Sequence, residues 1–161
     1  MNKQAFGLIV VIGVVVLGMS MAPRESALPD VEEIANASMG TIALHKSPTC
    51  GCCGVYGSYI KKMGGDVEVH NTNDMDSVKE ELGVPNELLS CHTMEVGGYV
   101  VEGHIPFEAI QKLLTEKPDI RGIGMPGMPQ GAPGMPGSQQ EDFVIYEIDH
   151  EGNAHNVFVT L

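Results

Sequence analysis

The stretch Ser47-Pro-Thr-Cys-Gly-Cys-Cys-Gly54 decides the fold, because it places three of the four cysteines of the chain between two predicted elements. Residues 42–44 are aliphatic and predict a strand. After the cysteines, apolar residues recur at the spacing of one helix face, at Val55, Tyr56, Tyr59, Ile60 and Met63. Ser47 is the predicted N-cap of this helix and Pro48 its first residue. The cysteines therefore lie at a helix N-terminus, whose free N–H groups and partial positive charge stabilise thiolates.

The patterns along the rest of the chain predict the element order β-α-β-α-β-β-α followed by a hairpin. Strands are predicted over 41–45, 66–70, 93–96 and 99–102, helices over 48–63, 75–82 and from 106 to Pro118, and the last hairpin over 143–161. This order is typical of thioredoxins and glutaredoxins. We therefore predict an α/β fold in which residues 41–161 form a single thioredoxin/glutaredoxin-like domain with an added C-terminal β-hairpin.

The first 22 residues have the pattern of an export segment. Lys3 precedes the apolar run 6–17, and small residues, Ser20 and Ala22, stand at the −3 and −1 positions of a cleavage site. Because Pro23 follows this site directly, an uncleaved N-terminal membrane anchor is the alternative to a cleaved signal peptide. Residues 23–40 are predicted to be a linker. We expect a periplasmic or otherwise extracytoplasmic protein that contacts the membrane only if this segment stays uncleaved.

The charge balance excludes one class of partner. The 161-residue chain has nine Lys and Arg against 21 Asp and Glu, which gives a net charge of −12. Nucleic acid is recognised by a basic surface that neutralises phosphates, and the sequence has no basic stripe. An acidic surface tolerates cations, although solubility alone explains it.

The cysteines allow three interpretations. Cys50 and Cys53 have the C-x-x-C spacing of dithiol oxidoreductases. Cys52 adds a third thiol beside this pair, which disfavours clean thiol exchange but favours a soft metal, because thiolates select Cu(I), zinc or iron–sulfur centres. Cys91, about forty residues later, supplies a fourth thiolate, so that more than one Cu(I) could be held. Zinc is the less favoured metal, since C-x-C-C is not a usual zinc spacing. Structural disulfides are the third interpretation, because export favours them.

Two histidines and one methionine are further candidate metal ligands. His92 directly follows Cys91, and His104 precedes a predicted helix; a hydrogen-bonding or packing role is the alternative for both. Residues 122–138 are rich in Gly, Pro and Met and lack periodicity, so they predict a loop with no helical face to bury its three Met side chains. That loop is either a linker or a cover over a copper site, with Met128 as its candidate thioether ligand.

Four motifs in order resemble one known family. They are Ser-Pro-Thr-Cys-Gly-Cys-Cys at 47–53, Cys-His-Thr at 91–93, Gly-Tyr-Val-Val-Glu-Gly-His-Ile-Pro at 98–106 and Gly-Met-Pro-Gln-Gly-Ala-Pro-Gly-Met at 127–135. They look like the exported copper-resistance family that includes CopG, the thioredoxin-like metal-binding protein and not the ribbon-helix-helix repressor of that name. The resemblance covers about residues 41–161. It differs at Tyr56, where the family often has Trp, and at Met125, where Val is usual.

The resemblance implies copper handling outside the cytoplasm, with Cys50, Cys52, Cys53 and Cys91 as the metal site. We therefore predict a copper-resistance protein that binds Cu(I) through these cysteines, as a thiolate-bridged cluster of more than one ion, with copper ions and other copper-handling proteins as partners. Such a centre either sequesters copper or cycles between Cu(I) and Cu(II), so enzyme activity stays open and no catalytic residue is assigned. The alternative function is a thiol–disulfide oxidoreductase that uses Cys50 and Cys53.

Overall fold

One seven-stranded sheet carries the fold, with the strand order β2-β1-β3-β4-β5-β6-β7. The structure is a computed structural model and describes residues 39–161. The strands are β1 (Thr41–Lys46), β2 (Asp66–Asn71), β3 (His92–Val96), β4 (Tyr99–Glu102), β5 (Gly122–Gly124), β6 (Val144–Ile148) and β7 (Val157–Thr160). The predicted export segment, 1–22, and nearly all of the predicted linker, 23–40, lie outside the described residues. Within residues 39–161 no helix is long and apolar enough to cross a membrane.

The first four strands and the three α-helices found between residues 41 and 161 form the predicted thioredoxin-like unit. The helices are α1 (Gly51–Lys62), α2 (Met75–Leu82) and α3 (Phe107–Glu116), and a 3₁₀ turn (Asn86–Leu88) precedes β3. β1 pairs in parallel with β2 and antiparallel with β3, and β3 pairs antiparallel with β4. The α/β prediction and its element order are therefore confirmed.

The C-terminal addition is confirmed as a hairpin, β6–β7, but a third strand connects it to the sheet. β5 pairs in parallel with β4 and antiparallel with β6. The loop predicted over 122–138 therefore begins only after Gly124. Its strand was missed because Gly122 and Gly124 carry no strand signal. Glycine is needed there, since a Cβ at Gly122 would overlap the backbone of Val100 and one at Gly124 would lie 2.8 Å from Leu88.

The core joins the thioredoxin-like unit to the added strands. Its largest fully buried side chains come from α1, the sheet and α3, and include Tyr56, Ile60, Leu44, Met94, Ile110, Leu113, Ile123 and Ile145. α3 owes its packing to apolar residues at helical spacing, as predicted. Tyr56 satisfies its buried hydroxyl by donating to the carbonyl oxygen of Ile105 at 2.8 Å. This bond joins α1 to the segment after β4, and so fixes the two sides of the cysteine region against each other.

Candidate metal centre

The first turn of α1 presents three cysteines. The helix begins at Gly51, three residues after the predicted start at Pro48, and its N-cap is Cys50 instead of Ser47. Cys50 Sγ accepts the backbone N–H of Cys53 at 3.3 Å, while the Ser47 carbonyl accepts the N–H of Cys50 at 3.0 Å in a preceding turn. The sulfur thus takes the capping role that a hydroxyl usually has. Cys50 and Cys53 therefore share one end of the helix.

Four sulfurs lie together at this helix end. Cys50 and Cys53 are joined by a disulfide, with their Cα atoms 5.4 Å apart, and Cys52 and Cys91 are free thiols. Cys52 Sγ lies 3.5 Å from Cys50 Sγ and 3.9 Å from Cys91 Sγ. All four sulfurs lie within 4.8 Å of one another, which is close enough for one metal centre when the disulfide is reduced. The structure therefore brings together the four predicted cysteine ligands.

A second group of ligands shares Cys91 with the first. His104 Nε2 lies 3.0 Å and His92 Nδ1 3.4 Å from Cys91 Sγ. The three ligand atoms also lie within 4.8 Å of one another. Cys91 is thus the one residue that belongs to both the four-sulfur group and this sulfur–nitrogen group. Both predicted histidines lie at the site.

The contacts of the two imidazoles suit ligation. His104 Nδ1 lies 2.7 Å from the carbonyl oxygen of Pro133. Because a carbonyl only accepts, Nδ1 carries the proton and the Nε2 lone pair is directed to Cys91, an arrangement common for histidine ligands of metals. His92 is fully buried, and its Nε2 atom has no hydrogen-bond partner among the described residues. The nitrogen of His92 that is placed to bind a metal is therefore Nδ1, the atom beside the Cys91 sulfur.

Aromatic packing fixes the orientation of the histidine rings. Tyr56 stacks at a tilt on His92 with ring centroids 4.5 Å apart, and meets His104 edge-on at 5.4 Å. The two imidazoles contact each other at 4.7 Å in a T-shaped arrangement. Since Tyr56 is itself held by its bond to Ile105, the nitrogen side of the site is rigidly packed.

Burial keeps Cys91, His92 and His104 uncharged at neutral pH. It raises the pKa of the Cys91 thiol to about 12, with a further contribution from the neighbouring Cys52. Burial lowers the pKa of His92 well below its usual value, assisted by His104 and Lys79. Burial also lowers the pKa of His104, against the opposing effect of its bond to Pro133. A metal ion must therefore displace the proton of Cys91, but the imidazoles are already in the neutral form that binds metals.

The Gly/Pro/Met loop, residues 125–138, packs over the site. The Pro133 carbonyl of this loop accepts the hydrogen bond from His104 Nδ1. Gly134 lies so close to α1 that a Cβ there would be 3.0 Å from the Tyr56 backbone nitrogen and 3.1 Å from the Cys52 carbonyl oxygen. The Ser90 hydroxyl donates to the carbonyl oxygen of Gly127. The loop is therefore a packed cover over the helix end that carries the cysteines.

The methionines of this loop differ from one another. The sequence predicts that none of the three Met side chains of this loop is buried in the core. Met125 is buried, contrary to this prediction, and Met135 is partly buried against the core. Met125 is buried because it follows β5, whose place inside the sheet was missed. Met128 is 53 % exposed, and its role as a ligand stays a prediction.

The sequence analysis missed a buried polar network behind Cys91. Lys79 and Glu102 are both buried and form an ion pair, which Thr93 joins. The available indication was a charged residue, Glu102, directly before Gly103-His104 in an otherwise apolar strand.

Solved structures of known proteins are similar to this chain in sequence and fold. Two solved structures, described as copper resistance protein CopG forms 1 and 2, are 38 % identical in sequence to this chain, with a TM-score of 0.69. Each covers 75 % of this chain, and the matches span 96 % and 97 % of their own chains. The family described as protein of unknown function DUF411 matches residues 88–135, which include Cys91 and both histidines. No curated protein matches the chain. The chain belongs to the family of copper resistance protein CopG.

Proposed function

We propose that this protein binds Cu(I) at the joined cysteine and histidine groups and serves in copper resistance outside the cytoplasm. The observation that carries the proposal is the position of Cys91, whose sulfur lies in both ligand groups. A thiolate can bridge two metal ions, so a shared sulfur favours a centre of more than one ion. Thiolates and imidazoles are the donors that Cu(I) prefers.

The number of donors favours copper over zinc. A structural zinc ion takes four ligands in a tetrahedron, whereas four sulfurs and two imidazoles meet here around one shared sulfur, that of Cys91. A cluster of two or more Cu(I) ions, which bridging thiolates hold together, uses this larger donor set. Met128, on the covering loop, is a candidate for an additional soft contact.

The disulfide makes copper binding dependent on redox state. Reduction of the Cys50–Cys53 bond takes two electrons and two protons and yields two thiols, so it restores two ligands to the four-sulfur group. The oxidised protein retains only Cys52, Cys91 and the two histidines. The centre is therefore proposed to take up Cu(I) in the reduced protein, either to sequester the ion or to exchange electrons with it.

The export pattern of residues 1–22 supports the proposed location. In a periplasmic or other extracytoplasmic compartment, the partners would be copper ions and other copper-handling proteins. This location is part of the proposal and needs its own test, by fractionation of cells that produce the full chain.

A second candidate function is thiol–disulfide exchange, and the Cys50–Cys53 disulfide at a helix N-terminus favours it. Cys50 is partly exposed and Cys53 is buried. In that function, the Cys50 thiolate would attack a substrate disulfide and release one substrate thiolate. Cys53 would then attack the mixed disulfide, releasing the second thiolate and reforming the disulfide.

The test is a Cu(I) titration of the full chain, reduced under anaerobic conditions, against a chelator of known affinity. We expect more than one Cu(I) per wild-type chain and fewer in Cys52→Ser, with an unchanged circular dichroism spectrum. Thr49→Ser, beside the cysteines but without a change of thiol number, is the matched control and should bind as the wild type does. A single ion per chain, unaffected by Cys52→Ser, would contradict the cluster.

The second function is tested by disulfide reduction with metal-free protein. Activity that persists in Cys52→Ser and Cys91→Ser but disappears in Cys50→Ser would support thiol exchange. Inactivity of the wild type in this assay, together with copper binding, would exclude it.

A further inference from the structure

A buried ion pair lies behind the segment that carries Cys91 and His92. Lys79 of α2 is 5 % exposed and Glu102 at the end of β4 is fully buried, and Lys79 Nζ lies 2.5 Å from Glu102 Oε1. The Thr93 hydroxyl accepts from Lys79 Nζ at 2.9 Å and donates to Glu102 Oε2 at 2.6 Å. Glu102 Oε1 also accepts the backbone N–H of Ser90 at 2.7 Å. The carboxylate thus has three donors around it.

These bonds hold both sides of the Cys91-His92 dipeptide. Ser90 comes directly before it and Thr93 directly after it. Ser90 lies before the start of β3, so the sheet ladder does not fix it. The carboxylate therefore provides a tether that the strand pairing does not.

The same carboxylate is close in sequence to the third ligand of the sulfur–nitrogen group. Glu102 is paired with Thr93 across β3 and β4, and the next residue, Gly103, donates its N–H to the His92 carbonyl at 3.1 Å. His104 follows directly. One buried side chain is thus connected to the backbone around all three residues, Cys91, His92 and His104.

We propose that Glu102, paired with Lys79, is a positioning residue that sets the place of Cys91, His92 and His104 for copper. This inference rests on the proposed function. Stability alone does not explain the network, because replacing both members of a buried ion pair by apolar residues is often tolerated. The specific feature is that the Glu102 carboxylate accepts the backbone N–H of Ser90, the residue directly before the proposed ligand Cys91. Residues that hydrogen-bond around metal ligands in this way affect metal affinity.

The test compares two double variants of the full chain. Lys79→Met with Glu102→Leu removes both charges together and leaves Ser90 N–H without its acceptor. Lys79→Met with Glu102→Gln removes the same charges but keeps an oxygen for Ser90. We expect the Leu variant to lose about 10- to 100-fold in Cu(I) affinity, the range typical for outer partners of metal ligands. The Gln variant should stay within about threefold of the wild type, because it retains the tether.

The measurements separate positioning from folding. Cu(I) affinity is measured by chelator competition, and the ultraviolet thiolate-to-copper absorption reports the ligand arrangement. Thermal unfolding of the metal-free variants reports stability alone. The control is Lys112→Met with Glu116→Gln, which removes an exposed ion pair of the same length, 2.5 Å, in α3 and should change neither affinity nor absorption.

The outcomes distinguish this inference from the proposed function. Wild-type copper binding with an unchanged Leu variant would overturn the positioning role and leave the proposed function intact. A wild type without copper would overturn both. If the Leu variant does not fold, Lys79→Met with Glu102→Met decides, because it also removes the acceptor of the Ser90 N–H but keeps a flexible, unbranched side chain: a loss of affinity of about tenfold or more supports the role, and a smaller change overturns it.

Discussion

The sulfur half and the nitrogen half of the candidate metal centre are built in different ways. The sulfur half, Cys50, Cys52 and Cys53, comes from one helix turn within four consecutive positions. The nitrogen half, His92 and His104, comes from the start of β3 and the segment after β4, and both side chains are fully buried. Local helix geometry determines the first, whereas strand pairing, aromatic packing and the Glu102 network determine the second. We therefore expect substitutions in the two halves to differ in the size of their effects on copper binding and stability.

Cys91 is where the two halves meet, so its loss should have the largest effect. We expect Cys91→Ser to lower the copper bound per reduced chain by at least half, because a hydroxyl is a poor ligand for Cu(I) and both groups lose their shared sulfur. The measurement is copper per chain after desalting, with circular dichroism as the check on folding.

Cys52→Ser is the matched comparison, because it makes the same chemical change in a residue that belongs to one group only. Its loss of copper should be clearly smaller than that of Cys91→Ser. Equal losses in the two variants would show that the two halves are not joined through Cys91.

The same division explains what the sequence could predict. The helix that carries the cysteines was predicted from local periodicity. The order of the predicted strands and helices along the chain predicted the thioredoxin-like fold. The start of α1 was predicted at Pro48, because Ser-Pro is a strong helix opening, yet the Cys50 sulfur accepts the capping bond. Sequence patterns rarely identify sulfur as a cap.

The nitrogen half was only partly predictable. His92 was identified as a candidate because it directly follows Cys91, and His104 because it precedes a predicted helix. Lys79 and Glu102 were not identified, because their contact joins residues 23 positions apart and has no local periodicity. The strand β5 was missed for a related reason, since its glycines are needed for close approach to Val100 and Leu88 and not for strand propensity.

The Gly/Pro/Met loop, residues 125–138, contacts both halves, since Gly134 lies against α1 and Pro133 accepts a hydrogen bond from His104. A substitution in this loop should have the next largest effect on copper binding. We expect Gly134→Ala to destabilise the protein by about 1–3 kcal/mol and to speed copper release to a chelator, since its φ of +83° disfavours a side chain and a Cβ would press on the α1 backbone. Displacement of the loop would also weaken the hydrogen bond that His104 Nδ1 donates to the Pro133 carbonyl. Stability is measured by denaturant unfolding and release by stopped-flow absorption.

Gly98→Ala in the β3–β4 turn is the control for backbone strain alone. Gly98 has a φ of +87°, and a Cβ added there would meet no atom within 4 Å beyond its two chain neighbours. The substitution should reduce stability without changing the rate of copper release. Equal release rates for both variants and the wild type would show that the loop does not cover the copper site.

The smallest expected effect is a pH dependence that belongs to the nitrogen half. Burial holds the pKa values of His92 and His104 below the usual 6.5, so the unfolded chain binds more protons than the folded chain between those lowered values and 6.5. The free energy of unfolding of the reduced, metal-free protein should therefore fall as the pH drops below about 6.5, by at most about 1.4 kcal/mol per pH unit for each histidine. Denaturant unfolding at pH 7.5, 6.5 and 5.5 measures this. His104→Gln should reduce this slope relative to the wild type, because it removes one of the two histidines whose pKa burial lowers. A stability that is constant from pH 7.5 to 5.5 would mean that the two imidazoles accept protons as readily in the folded protein as in the unfolded chain. Burial would then not distinguish the nitrogen half in its protonation, and that contrast between the two halves would be lost.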